Sequence, residues 1–139
     1  MKTAVAALLL ALAFLAAPGD SSDYVIVVNT GSGVTSMRIS DVKRLYVGKM
    51  RRLGDHQAVP VNQPLDAEIT EKFLRDIVGM TIDEYKEFWI EQQVKGGASP
   101  PMIQRTDESV VAIVSAVPGA IGYVSPGADI SNVKKLRLE

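Results

Sequence analysis

The sequence predicts an α/β domain in which helices pack against buried strands. Three observations carry this. Asp23–Asn29 (DYVIVVN) is a nearly continuous apolar run, as in strands buried on both faces. Residues 64–78 and 82–93 repeat their apolar positions at helical spacing. Near the C-terminus, Pro118-Gly119 ends one element, and Ala120-Ile121-Gly122-Tyr123-Val124 has the character of a short buried strand. A chain of 139 residues has room for one ordinary domain.

Part of that length is expected to be removed. Met1-Lys2-Thr3 is a short basic start, Ala4 to Ala17 is unbroken apolar sequence, and Pro18-Gly19-Asp20-Ser21-Ser22 turns small and polar. That is the order of a secretory signal peptide. We expect residues 1–22 to be the signal, cut between about residue 17 and residue 23, and residues 23–139 to be the domain. The apolar run is shorter than the roughly 20 residues of a spanning helix, so no stable membrane insertion is expected after cleavage.

A cut after Gly19 removes only Lys2 among the charged residues, leaving 14 basic against 16 acidic side chains. Such a balance is no electrostatic footprint of a nucleic-acid binder. The chain has no cysteine. Disulfides, thiolate metal sites, a cysteine nucleophile and a lipidated N-terminal cysteine are therefore excluded, and stability must rest on a packed core.

Taking the elements in order, the first strand is followed by a turn at Thr30-Gly31-Ser32-Gly33. Glycine-rich loops after strands can offer N–H groups to anions, but this one lacks both nucleotide-binding patterns. Ser40 is a fitting N-cap for a helix from Asp41 to Val47, with Val42, Leu45 and Tyr46 on one face and Gly48 as its stop. Residues 49–56 (KMRRLGDH) form a basic loop holding the only histidine, His56. Gln57 to Asn62 is a second strand, and Pro60 argues for an edge position or irregular pairing.

A helix is expected from about Pro64–Asp66 to Val78, stopped by Gly79. Thr81-Ile82-Asp83-Glu84 has the capping-box pattern, opening a helix to about Gln93 with Ile82, Tyr85, Phe88 and Trp89 turned inward. Gly96 to Pro101 is a loop. Thr106 to Val117 is β-branched enough for a strand, yet Val110, Val114 and Val117 fit helical spacing, and Thr106 or Asp107 would cap a helix. The helix is preferred. The buried strand at residues 120–124 follows; a glycine within it, Gly122, suggests close approach by another backbone or a ligand. A polar turn from Ser125 to Asn132 leads to a final strand, Val133 to Leu138, with Lys134, Lys135 and Arg137 outward.

No catalytic constellation emerges. A serine triad needs a histidine, and His56 stands in a basic loop with no nucleophile-elbow motif around any serine. Paired carboxylates such as Asp83 with Glu84, or Glu87 with Glu91, fall on amphipathic helices, where solvated faces explain them. No His, Asp and Glu cluster has metal-ligand spacing. A non-enzymatic binding or interaction module, without cofactor or metal, is favoured by elimination.

Several segments, taken together, resemble the phosphate-binding proteins of phosphate ABC transporters, the PstS-like substrate-binding family. They are Val25-Ile26-Val27-Val28-Asn29; Leu45-Tyr46-Val47-Gly48-Lys49, a variant of the family's Ile-Phe-Leu-Gly-Lys; Val59-Pro60-Val61-Asn62; the Phe73 helix; the Tyr85-to-Trp89 helix; Lys95-Gly96 with Pro100-Pro101; and above all Pro118 to Val124. Each match is short, and their order from about Tyr24 to Leu138 gives the specificity. The resemblance implies a short, single-lobe member: one lobe of a type 2 periplasmic-binding-protein fold, a mixed sheet flanked by helices, with Thr106 to Val117 helical. It also implies a periplasmic location and phosphate or another small oxyanion as ligand.

The family holds phosphate partly through an Arg-x-x-Gly-Ser-Gly-Thr segment opening a helix, where N–H groups suit anions. At that place this chain has Asn62-Gln63-Pro64-Leu65-Asp66-Ala67-Glu68, without arginine and with two carboxylates near the helix start. The resemblance thus implies weak oxyanion binding, with Asn62 and Gln63 as donors and Thr30 and Ser32 contributing from the first turn. A protein partner, whether a transporter component, another periplasmic protein or a second copy, fits the alternative of an interaction module that has lost its ligand.

Overall fold

The computed structural model describes residues 23–139, so the expected signal peptide lies outside the described residues. In chain order the strands are β1 (Val25–Val28), β2 (Ser36–Met37), β3 (Arg52–Leu53), β4 (His56–Gln57), β5 (Val59–Asn62), β6 (Met102–Ile103), β7 (Ala120–Val124), β8 (Lys134–Lys135) and β9 (Arg137–Leu138). The helices are α1 (Ile39–Tyr46), α2 (Glu68–Phe73) running on into a wider π-helical segment (Leu74–Val78), α3 (Ile82–Val94) and α4 (Asp107–Ala116). The result is the expected α/β architecture.

Five strands form the main sheet in the order β6-β5-β7-β1-β8. β5 is parallel to β6 and β7, whereas β1 is antiparallel to both β7 and β8, so the sheet is mixed. Every residue of β7 is buried, because this strand is central and covered on both faces. The alternation of its side chains divides the core. Ala120 and Val124 pack with Val27, Val61, Val110 and Val114 beneath α4. Ile121 and Tyr123 turn to the opposite face, toward α1, α2, the π-helical segment and α3. There Phe73 stacks on Tyr123 with ring centroids 4.0 Å apart, and Tyr24 and Tyr46 meet Phe73 edge-on.

Gly122 is indeed a point of close approach, but what comes close is α4. A Cβ there would lie 2.6 Å from Val110 Cγ1, so the missing side chain is what lets the helix settle on the sheet. Both capping motifs are formed: Thr81 with Glu84 opens α3, and Thr106 with Ser109 opens α4. The ambiguous segment is therefore a helix.

Four local expectations need correction. The first helix begins at Ile39, and Arg38, not Ser40, occupies its N-cap, without a side-chain cap bond. The basic loop instead contains a two-stranded hairpin, β3 with β4, turning at Gly54-Asp55, where Gly54 takes φ +58°. The helix expected from Pro64–Asp66 starts only at Glu68. The final strand is split at buried Leu136, because β8 pairs with β1 and β9 pairs with β2.

Pro60 also lies inside the sheet and not at its edge, and the pairing explains why this is tolerated. The Val59 N–H donates to Gly119 O on the β7 side, so the missing Pro60 N–H points the other way. On that side the ladder with β6 begins only at Val61.

Candidate functional site

The chain leaves β5 for β6 on one side, then crosses by α4 to β7 on the other. In open α/β sheets such a reversal opens a crevice beyond the carboxyl ends of the parallel strands, where ligands bind. Here that crest is built from Asn62 and Gln63 after β5, Gln104 and Arg105 after β6, and Ser125 after β7. The Gln104 N–H donates to Asn62 O, which ties the first two segments together.

Asn62 and Gln63 are both buried. Asn62 Nδ2 donates to the Tyr85 hydroxyl (3.1 Å), and its Oδ1 accepts from the Tyr123 hydroxyl (2.9 Å). The Tyr85 hydroxyl donates onward to Tyr46 O, while that of Tyr123 accepts from the Gln63 backbone N–H. Gln63 Nε2 donates to Tyr123 O (3.0 Å) and to Asp107 Oδ1 (2.8 Å), and the same carboxylate oxygen accepts from Ser125 N (3.1 Å). A carboxylate of the protein itself thus engages donors at the ends of both β5 and β7. Asp66 and Glu68 add negative charge nearby, and Arg105 is the exposed cation following β6. Below the crest lies an apolar groove of about 270 Å³, bounded by Leu65, Tyr85, Trp89, Ile90 and Ile103, with Lys86 at its side.

Thr30 and Ser32 are at the opposite end of the sheet. Because β1 runs antiparallel to β7, its carboxyl end falls beside the start of β7, whereas Asn62 is level with Tyr123. Asn29 fastens this turn to the last carbonyls of α4, donating through Nδ2 to Val114 O and Ser115 O. A helix C-terminus carries negative partial charge, so the surroundings oppose an anion. Thr30 is exposed; buried Ser32 uses Oγ to accept from Val34 N. The structure therefore brings Asn62 and Gln63 together and separates them from Thr30 and Ser32. In the sequence Asp107 stands only as an alternative to Thr106 for capping α4; Thr106 is the cap, and the bonds of Asp107 to Gln63 and Ser125 are not legible there.

The tyrosines of this network predict an alkaline transition. Burial pushes the Tyr123 phenol up to about 12, and burial raises Tyr46 and Tyr85 as well. A phenol is neutral while protonated, so above the ordinary value of 10.0 the unfolded chain releases protons that the native state retains. Stability is full below that pH and falls as pH rises toward 12. Unfolding followed by circular dichroism is expected to coincide with tyrosinate absorbance in this window. Phenol ionisation near pH 10 with the fold intact would contradict it.

Among the described residues no helix is long and apolar enough to cross a membrane, and no group of three or more His, Cys, Asp and Glu could hold a metal ion.

The architecture is that of a periplasmic-binding-protein lobe, and structural comparison identifies where it recurs. A Clostridium perfringens chain with bound phosphate, described as a phosphate ABC transporter substrate-binding protein, superposes with a TM-score of 0.63 at 19% identity, covering 84% of this chain and 44% of its own. An ABC-type phosphate transport receptor from Vibrio cholerae gives 0.63 at 16% identity, covering 84% and 46%. PstS from Borrelia burgdorferi gives 0.63 at 12% identity, covering 84% and 47%. This chain spans less than half the length of these structures. No protein-family model matches its sequence, and no curated protein matches it. At such identities the likeness is one of fold.

Proposed function

We propose that this chain is an exported, periplasmic, non-enzymatic protein of the phosphate ABC transporter substrate-binding kind, which takes phosphate or another small oxyanion weakly. The observation that carries the proposal is its superposition, over most of its described length, on a substrate-binding protein solved with phosphate. The oxyanion's place is the crest at Asn62 and Gln63, with Arg105 as its cation; Thr30 and Ser32 take no part. Weakness follows from Asp107. An entering anion must compete with that carboxylate for Gln63 Nε2 and Ser125 N, and with Asp66 and Glu68 for the local potential. Titration calorimetry with inorganic phosphate is expected to give a dissociation constant of about 1 mM, near −4 kcal/mol. Submicromolar binding would refute the weakness. The absence of both heat and thermal shift with phosphate, sulfate and related oxyanions would remove the ligand.

A second reading, a protein–protein interaction module, is favoured by a different observation. Ile90 and Val94 on the outer face of α3 are 62% and 84% exposed, and Met102 and Ile103 of β6 are also exposed, beside the apolar groove. Ile90 and Ile103 line that groove together, and exposed apolar side chains grouped in this way mark contact sites. Co-purification from the periplasm with a stable protein partner and no small ligand favours this reading; a monomeric, partner-free chain counts against it.

A further inference from the structure

The main sheet has two edge strands, and they are finished differently. β8 presents Lys134 and Lys135, charges of the kind that keep a free edge from pairing. β6 presents Met102 and Ile103, 41% and 49% exposed, and has β5 as its one neighbour among the described residues. The Gln104 N–H donates to Asn62 O, so the alternation of the parallel ladder turns the N–H and C=O of Ile103 away from β5, to the open edge. Pro100 and Pro101, just before, have no N–H to offer. Open pairing is thereby confined to Ile103 and its immediate neighbours.

The apolar flank of this edge is on α3. Ile103 shares the groove with Ile90 and Gln93, and Lys86 is the one charged side chain lining it among the described residues. Val94, one turn beyond Ile90, extends the exposed apolar stripe along the helix. The two ends of α3 differ in charge: Asp83 and Glu84 are in its first turn, and Lys95 is its C-cap.

We propose, building on the reading of an interaction module, that a second copy of this chain covers the edge, joined antiparallel through β6 about a two-fold axis at Ile103. Each Ile103 N–H then donates to the partner's Ile103 O, and the two five-stranded sheets run on as one. The same axis lays α3 along the partner's α3 in the opposite sense. Ile90 meets its own copy, and Lys86 falls opposite the partner's Gln93 and Val94, away from the partner's Lys86. The acidic first turn of each α3 comes to the end of the other that carries Lys95, with the helix dipoles opposed. Another protein's strand would satisfy Ile103, but a copy also brings a matching apolar stripe and the opposite charge at each end of it. The prolines keep the shared edge short, which suits a closed pair and not an extending stack.

Sedimentation of the exported chain is expected to show a dimer with a dissociation constant of about 10 μM or tighter. Ile103→Lys sets like charges on the axis and is expected to weaken the dimer about tenfold or more. Its circular dichroism should stay that of the wild type, because the side chain is half exposed. The chain has no cysteine, so Ile103→Cys supplies a single thiol. Hydrogen-bonded antiparallel partners have Cα atoms about 5.5 Å apart, within disulfide range, so this variant is expected to cross-link on mild oxidation. Thr30→Cys, remote from β6, is expected to stay uncross-linked. A chain still monomeric at about 100 μM overturns the proposal, as does a dimer that Ile103→Lys leaves intact or that cross-links no better through residue 103 than through residue 30. A monomer that holds a different protein on this surface overturns the second copy and keeps the interaction module; a monomer without any partner overturns both.

Discussion

Replacing Gly119 by alanine is expected to unfold the protein under conditions where the wild type is stable. A Cβ at this position would lie 1.8 Å from the backbone O of Gln57 and 2.8 Å from its carbonyl carbon. Neither is a flexible side-chain end that can swing away. Relief requires moving β7 from the end of β4, which breaks the bond from Val59 N to Gly119 O that starts the β5–β7 ladder. A cost of about 3 kcal/mol or more is expected, a large part of the roughly 5–15 kcal/mol that holds a domain together. Gly127→Ala is the control: nothing lies within 4 Å of its added Cβ, and a change within about 0.5 kcal/mol is expected. Urea titration of both variants checks this, and an unchanged Gly119→Ala midpoint would count against the packing described.

Asn62→Ala should be nearly as damaging, for electrostatic and not steric reasons. Among the described residues its amide is the only side chain bridging the Tyr85 and Tyr123 hydroxyls, and all three residues are buried. Removing it leaves the Tyr85 oxygen without its donor and sends the Tyr123 proton to Thr70 Oγ1, the remaining acceptor, at 3.3 Å. About 2–3 kcal/mol is expected to be lost. Asn62→Asp should be no better, because the Tyr85 proton is already given to Tyr46 O and a second oxygen would face a lone pair. If Asn62→Asp were as stable as wild type at neutral pH, the donor and acceptor assignment would be wrong.

Much of the fold was legible because its signals are local. The capping boxes at Thr81 and Thr106 involve residues three apart, and β7 announces itself by a helix stop followed by unbroken apolar sequence. The β3–β4 hairpin was obscured by its own chemistry. Gly54-Asp55 is a competent turn, but the flanking Arg52 and His56 do not alternate in hydrophobicity as strands usually do. Strand direction was not legible at all. The resemblance groups Thr30 and Ser32, in the turn after the first strand, with Asn62 and Gln63 before the next helix, and only the antiparallel placement of β1 sends the first pair to the other end. The donors at Asn62 and Gln63 were likewise visible as residue types, whereas their engagement by Tyr85, Tyr123 and Asp107 depends on contacts many residues apart in the chain.

That placement of β1 also bears on how the molecule is assembled in time. β1 is the first described strand, yet its two neighbours, β7 and β8, come near the end of the chain. Pairings so remote in sequence must wait for long loops to close and slow the search for the native topology. While the chain is being synthesised, β1 has no partner until residues 120–124 have emerged, and it is only then enclosed by β8. The main sheet is therefore completed only when the last strands arrive, and β1 is among the first segments made and the last to be enclosed.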